Sequence, residues 1–259
     1  MKLRIAAIAM CLLVGVTFAA SHLRRDRQTN SQYPSRTQTS ELPSPVQEGT
    51  LSERQKQHSK LFGGYQDVTQ GKTLRALVLE KGDTQVGRLI GNIILPASFN
   101  INQYFEKLSC EADVVLIGTV RDKSSNLVED GTFTFTEYSF IPDDVLKDNP
   151  LQHVQPNSEI TIVRAGGTVR LLGHVISAID SSEKPLTVGG RYLLFLKFVS
   201  STGAYRSASN SLADNAFKLE GTQITQASDL PLPIGARRSA DLSPFLIDVR
   251  RALSSGCAR

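Results

Sequence analysis

Short apolar segments separated by glycine turns constrain the fold of this 259-residue chain more than any other feature. Residues 112–120 contain the run Val114-Val115-Leu116-Ile117, which is typical of a strand buried on both faces. Residues 132–136 alternate strictly between Thr and Phe, which is the period of two expected for a strand. Both segments are therefore predicted to be β-strands.

Four more segments carry strand patterns, and Gly166-Gly167, Gly189-Gly190 and Thr202-Gly203 mark turns between them. The predicted strands cover residues 159–164, 168–179, 191–199 and 217–224. Five or six strands within about 115 residues indicate a small barrel or a sandwich.

The apolar positions of the 131–141 segment change phase along its length. The Phe residues of 132–136 are followed by Tyr138 and Phe140, which fall on the other parity. A β-bulge near Thr136 or Glu137 would produce this change, and we predict one there.

The end of the chain is predicted to be a helix that packs on the β-domain. Ser243 is a suitable N-cap, Pro244 a suitable first helical residue, and Gly256 a suitable stop. The residues Phe245, Leu246, Val249 and Leu253 form one apolar stripe.

The first 19 residues have the parts of a signal peptide. Lys2 and Arg4 are followed by an uncharged, mostly apolar stretch, and Thr17-Phe18-Ala19 places small residues where signal peptidase recognises the chain. We predict cleavage after Ala19 and a periplasmic or secreted protein. The alternative is a retained membrane anchor, although residues 5–20 are fewer than the roughly 20 apolar residues that span a bilayer.

Residues 20–73 are predicted to be a disordered tether. Their first thirty or so residues are rich in Ser, Thr, Gln, Pro and Arg and poor in large apolar side chains. A short charged helix is expected within the tether at 51–60.

Residues 74–110 lead into the barrel domain, which is assigned to residues 111–259. In this lead-in, strands are predicted at 74–79 and 89–95, and a helix at 98–108.

The charge distribution argues against nucleic-acid binding. The whole chain has a net charge of +4, and removal of Lys2 and Arg4 with the leader leaves about +2. The basic residues are scattered among carboxylates, whereas binding to a phosphate backbone needs a clustered basic face. Contact with a membrane is expected only if the leader is retained as an anchor.

Cys110 and Cys257 are the two cysteines left after Cys11 is removed with the leader. An oxidising compartment would allow them to form a disulfide, and two separate thiols are the alternative. Neither residue belongs to a C-x-x-C pair, so a thioredoxin-like redox site and a zinc ribbon are both disfavoured.

Two segments of the predicted domain resemble known proteins. Residues 112–120 (ADVVLIGTV) and 188–196 (VGGRYLLFL) are similar to a group of uncharacterised exported bacterial proteins and, more remotely, to the OB-type barrel of netrin-like and tissue-inhibitor-of-metalloproteinase-like domains. The resemblance covers about residues 110–225 and its motifs are structural. It implies a mainly β fold: a small OB-like barrel of five to six strands, with a helix before it and a C-terminal helix packed on it.

The inhibitory mechanism of that wider group is not implied. Those inhibitors present a mature amino-terminal cysteine to a catalytic metal, whereas Cys110 follows about 90 mature residues.

Two short motifs match functional patterns incompletely. Gly71-Lys72-Thr73 ends like a nucleotide-binding P-loop, but Gln66 stands where the first glycine is required. Ser181 and Lys184 have the S-x-x-K spacing of some hydrolases, but they follow a predicted strand and precede Pro185 instead of lying on a helix. Both motifs are predicted to be turns.

His174 is the one histidine with a plausible site, because it lies on a predicted strand. Folding could bring Asp180 or Glu137 close to it. The acidic pairs Glu129-Asp130 and Asp143-Asp144 are expected in turns and lack the ligand spacing of a calcium loop. The sequence therefore assigns no catalytic, metal or cofactor residue.

The leading hypothesis is a noncatalytic interaction module that binds an envelope protein or glycan. By analogy with OB-type barrels, exposed Tyr and Phe residues of the 131–141 strand are the predicted contact surface. Two alternatives stay open: an envelope hydrolase with a site around His174, and a structural part of an envelope assembly with a large exposed apolar patch.

Overall fold

A computed structural model of the chain describes residues 51–88, 101–208, 215–227 and 239–257. The helices within these ranges are α1 (Glu53–Ser59), α2 (Leu74–Lys81), α3 (Ile101–Glu111) and α4 (Leu242–Ser254), with a 3₁₀ segment η1 (Lys60–Thr69) after α1. The strands are β1 (Thr84–Arg88), β2 (Val114–Leu127), β3 (Thr134–Lys147), β4 (Ile160–Ala165), β5 (Gly167–Leu171), β6 (His174–Asp180), β7 (Arg191–Val199), β8 (Ala204–Ser207), β9 (Ala216–Glu220), β10 (Gln223–Gln226) and β11 (Ser239–Asp241).

Five strands form a barrel with the strand order of an OB fold. The order runs β7-β2-β3-β4-β8 and returns to β7 through the β7–β8 pairing. The parallel β4–β8 contact that completes the ring has only two residue pairs, Ile162–Tyr205 and Val163–Arg206, so the barrel is only partly closed. The predicted mainly β class is confirmed, and β9, β10 and β11 extend the sheet to eight strands.

The apolar run of β2 is buried on both faces, as its sequence predicts. Val114 and Leu116 belong to the core inside the barrel, whereas Val115 and Ile117 belong to a second core under α3 and α4. A strand whose consecutive side chains all meet apolar surroundings has no solvent face, which explains the continuous run.

The bulge predicted near Thr136 or Glu137 is wrong. β3 pairs regularly with β4 from Phe135 to Phe140, and the nearest irregularity lies in β2, between Val120 and Asp122. The apolar residues change parity because β3, too, is buried on both sides. Tyr138 and Phe140 face the barrel interior, and the two Phe residues before them lie in a separate core under η1.

Two segments predicted as single strands are hairpins. Residues 168–179 contain β5 and β6, joined at Leu172 and Gly173, both with positive φ (53° and 83°). Such a pair of left-handed residues makes the tight turn that suits twisted antiparallel strands. Residues 217–224 likewise contain parts of β9 and β10, and β5 and β6 join β1 in a separate three-stranded sheet.

The strand predicted at 74–79 is wrong, because this segment is helix α2. The Thr73 side chain caps its amino terminus by accepting a hydrogen bond from the Ala76 backbone N–H. Leu74, Leu77 and Val78 are buried, which is the spacing of one helical face, and they pack on the three-stranded sheet. The strand predicted at 89–95 lies outside the described residues.

Helices α3 and α4 form the C-terminal cap of the barrel. Phe105 of α3 and Phe245 of α4 meet edge to face, with ring centroids 5.0 Å apart, over Phe217 of β9. α4 begins one residue before the predicted N-cap: Asp241 is the cap residue, without a side-chain cap hydrogen bond. Gly256, with a φ of +71°, follows the C-cap residue Ser255 and stops the helix as predicted.

The disulfide predicted between Cys110 and Cys257 is present. It joins α3 to the residues that follow α4, with a Cα–Cα distance of 5.5 Å across a sequence separation of 147 residues. The predicted helix at 98–108 corresponds to α3 from residue 101 onward, and Cys110 lies within α3.

The segment at 51–73, which the sequence groups with the tether, is folded. The charged helix predicted at 51–60 is confirmed as α1, and η1 follows it with Phe62 buried. The predicted signal peptide and residues 20–50 lie outside the described residues. No helix among the described residues is long and apolar enough to cross a membrane.

Candidate functional site

The N-terminal segment, which we define as α1 and η1, lies on the outer face of β3 and β4. This is the barrel face whose equivalent in OB folds carries the ligand site. Phe62 stacks on Phe135 at 5.7 Å between ring centroids, and Tyr65 stacks on Phe133 at 4.3 Å. The apolar half of this face is therefore covered by the chain itself.

A buried histidine fixes α1 to the barrel. His58 is fully buried, and its Nδ1 lies 2.5 Å from Oε1 of Glu137 on β3. Because a carboxylate only accepts hydrogen bonds, the imidazole donates to Glu137 from Nδ1. The other ring nitrogen, Nε2, is buried and has no hydrogen-bond partner among the described residues.

Glu137 is kept ionised by the residues around it. Burial alone raises the pKa of its carboxyl group, but hydrogen bonds from His58 and Gln55 and the charge of Arg54 oppose burial and outweigh it. The resulting pKa lies below the ordinary value for glutamate. All three of these residues belong to α1, so the segment and the carboxylate stabilise each other.

Additional polar contacts surround this pair. Arg54 donates to the Thr161 hydroxyl of β4 at 2.7 Å, and Gln55 contacts the Asn126 side chain at 3.3 Å. At the other end of α1, the Ser59 hydroxyl accepts from the Glu129 backbone N–H at 2.6 Å. The N-terminal segment is thus attached by polar groups at its edges and by aromatic rings at its centre.

Next to this attachment, a polar cleft of about 230 Å³ opens between α1 and strands β2, β3 and β4. Its lining combines hydroxyl groups with side chains of both charges: Ser52, Arg54, Gln55, Asp122, Lys123, Ser124, Glu137, Tyr138, Ser139 and Thr161. The Ser139 hydroxyl is buried and unpartnered among the described residues, so the cleft contains a hydrogen-bonding group that these residues do not use.

The aromatic contact surface predicted on the 131–141 strand is wrong. Phe133, Phe135 and Phe140 are inaccessible to solvent, and Tyr138 is only 2% exposed. These rings form the cores on the two sides of β3. What the same strand offers to a ligand is the polar edge at Glu137 and Ser139.

His174 has a different partner from those predicted. Its Nδ1 lies 3.0 Å from Oδ1 of Asp83, and the imidazole is about half exposed. Asp180 instead accepts a hydrogen bond from the Tyr65 hydroxyl at 2.5 Å, and Glu137 contacts His58. Folding therefore does not bring His174 to either predicted carboxylate.

The two incomplete motifs are turns, as predicted. Thr73 of the Gly-Lys-Thr sequence caps α2, and the Lys72 ammonium pairs with Glu80 at 2.7 Å. Ser182 follows β6 in a turn in which its backbone N–H and hydroxyl both donate to Asp180.

One of the acidic pairs is misplaced by the sequence analysis. Asp143 and Asp144 lie within β3, and they pair with Arg191 and Arg250 at 2.8 and 3.3 Å. Asp130 is in a turn, as expected, where its carboxylate accepts from the Thr132 N–H and hydroxyl. The described residues contain no cluster of three or more His, Cys, Asp and Glu side chains that could hold a metal ion.

Sequence reasoning missed His58 because it assigned the residue to a mobile segment. A signal was present: Ser52 and Gln55 have the spacing of a capping box, and both hydrogen bonds of that box form at the start of α1. Since α1 precedes Leu61 and Phe62, a helix followed by apolar anchors could have been expected to pack on the domain.

Comparisons with known protein families and with functionally curated proteins find no match to this sequence.

Proposed function

We propose that this chain is an exported, noncatalytic binding module of the cell envelope, and that the cleft beside Glu137 is its ligand site. The main observation in support of this ligand site is that the cleft lies on the β3–β4 face of the barrel. In OB folds this face and its flanking loops bind oligosaccharides and oligonucleotides. The disulfide, which is typical of oxidising compartments, supports the export part of the proposal.

The lining of the cleft favours a glycan as ligand. Hydroxyls from Ser124, Ser139 and Thr161 stand beside cationic and anionic side chains. Such a surface matches the donors and acceptors of a sugar, and the two acidic side chains in the lining would repel a phosphate backbone. A volume of about 230 Å³ is below the roughly 300–1,000 Å³ of pockets for drug-sized ligands, so the cleft would hold one unit of a longer chain.

A remote relation to netrin-like and tissue-inhibitor-like domains belongs to the same proposal. The OB-type strand order supports it, and it concerns the fold of the barrel more than its activity.

The experiment compares the mature chain with two tryptophan variants on an array of envelope glycans. Ser124→Trp fills the cleft from an exposed position, and Ser254→Trp places the same side chain on α4, far along the chain from the cleft. We expect wild type and Ser254→Trp to bind the same glycans and Ser124→Trp to lose at least tenfold in affinity. Binding by all three proteins alike, or by none of them, would contradict the proposal.

A further inference from the structure

A buried arginine lies inside the barrel. Arg164 is on β4 two residues after Ile162, so the two side chains point to the same side of the sheet. Ile162 belongs to the interior core, and Arg164 is only 1% exposed. Its Nε, Nη1 and Nη2 atoms are all buried and have no hydrogen-bond partner among the described residues.

A guanidinium group in this position needs a counter-charge. Arginine does not lose its proton in proteins, so Arg164 cannot avoid the cost of burial by becoming neutral. An unpaired buried charge destabilises a fold strongly, whereas a guanidinium fork that binds two oxygen atoms of an anion is among the strongest polar contacts.

The carboxylates of Asp180 and Glu183 already accept hydrogen bonds from other groups. Asp180 accepts hydrogen bonds from Tyr65 and Ser182. Glu183 accepts from the backbone N–H of Ala165, next to Arg164 in sequence, at 2.8 Å. Neither carboxylate comes within ion-pair distance of Arg164.

Two residues with hydroxyl groups, Tyr138 and Ser207, stand near Arg164 in the barrel. Tyr138 is close enough that the charge of Arg164 opposes the rise that burial causes in the pKa of its hydroxyl. The parallel register pairs Val163 with Arg206, and Arg164 and Ser207 are the next residues on the two strands. The Ser207 hydroxyl is also buried without a partner among the described residues.

We propose that Arg164, with the hydroxyls of Ser207 and Tyr138, binds a small oxyanion inside the barrel. The ligand class is a carboxylate or an inorganic oxyanion such as phosphate, because a fork of N–H donors beside hydroxyl donors matches two or more oxygen atoms. Tyr138 also belongs to the lining of the cleft beside Glu137, but binding at Arg164 does not depend on the function proposed for the cleft.

The test measures unfolding of the full mature chain by denaturant in phosphate, in acetate, and in sodium chloride at matched ionic strength. Each sample is unfolded and refolded in its own salt, because a buried site exchanges its ligand only when the fold opens. An anion present at about ten times its Kd should raise the folding equilibrium constant about tenfold over chloride. A response to acetate alone identifies a carboxylate ligand, and a response to phosphate identifies an inorganic oxyanion.

Three variants make the assignment specific. Arg164→Met should abolish the anion effect, Ser207→Ala should weaken it, and Arg170→Met, at an exposed position of β5, should leave it unchanged. If Arg164→Met does not fold, the wild-type chain is refolded in each of the three salts and the NMR signals of its arginine Nε–H groups are compared; an anion bound to Arg164 shifts one of these signals. Equal stability of the wild-type chain in all three salts, or an unchanged effect in Arg164→Met, would overturn the proposal.

Discussion

The barrel is covered on its outside by two helical elements that are held in different ways. The C-terminal cap, α3 and α4, is joined by the Cys110–Cys257 disulfide and packs through clustered Phe rings. The N-terminal segment has no covalent link among the described residues, and it depends on two stacked ring pairs and on hydrogen bonds such as that between His58 and Glu137. We therefore expect the cap to unfold with the barrel and the N-terminal segment to open separately.

The largest expected effect is loss of the disulfide. On the chain-entropy model, closing a loop of this length stabilises the fold by up to roughly 5 kcal/mol. The double variant Cys110→Ser, Cys257→Ser should unfold at a markedly lower denaturant concentration. Addition of reductant should lower the denaturant midpoint of the wild type to that of the variant and leave the variant unchanged. If reductant does not change the wild-type midpoint, the disulfide does not contribute to stability.

Two phenylalanine substitutions compare the packing of the two elements. Phe105→Ala in the cap should cost about 3–5 kcal/mol in global stability, because the ring is 1% exposed among other aromatic side chains. Phe62→Ala should lower global stability less, since the N-terminal segment can open while the barrel stays folded.

The smaller loss expected for Phe62→Ala could also arise because Phe62 makes fewer contacts than Phe105. Amide hydrogen exchange distinguishes this alternative from separate opening of the N-terminal segment. Exchange in α1 should accelerate in Phe62→Ala while exchange in β2 stays near its wild-type rate. Equal acceleration throughout the chain would show that the N-terminal segment and the barrel form one cooperative unit.

Acid should weaken the N-terminal segment through Glu137. The pKa of this group is depressed in the folded protein, so its stabilising effect is complete above the ordinary glutamate value of 4.5 and is lost as the pH falls through the lower folded-state value. Glu137→Gln should be about 1–2 kcal/mol less stable than wild type at neutral pH, with the difference vanishing in acid. Denaturant midpoints of both proteins across this pH range measure it; a constant difference would remove Glu137 as the cause.

The smallest effect concerns the Tyr65 hydroxyl, which donates to Asp180 at 2.5 Å. Tyr65→Phe keeps the ring that stacks on Phe133 and should cost about 1 kcal/mol, because Asp180 retains its contacts with Ser182. Equilibrium unfolding measures the loss, and a loss above 3 kcal/mol would mean that polar contacts dominate this attachment.

Several parts of the fold could be predicted because their signals lie within a few residues. The apolar run at 114–117, the C-terminal helix with Gly256 after its end, and the pairing of Cys110 with Cys257 all appear in the structure. The prediction of a strand at 74–79 was wrong because a short apolar segment shows no clear period of two or 3.6 residues. In the structure the segment is a helix, and the Thr73 side chain caps its amino terminus.

The candidate site was less accessible to prediction. The cleft exists because α1 lies against β3, and His58 meets Glu137 across 79 residues of sequence. The sequence around His58 contains no signal that predicts contact with Glu137, and the same holds for the sequence around Glu137. The burial of Arg164 likewise follows from closure of the barrel, since its local sequence is an ordinary strand with one charged residue.

The sequence by itself determined the β class, the C-terminal helix and the cysteines that join, because hydrophobic period, caps and residue type are local properties. Only the tertiary structure decided that β3 is buried on both faces, that the N-terminal segment covers part of the barrel, and which polar groups were left without partners. These features arise from long-range packing, in which the free energy of burying a side chain depends on what the rest of the chain places opposite it.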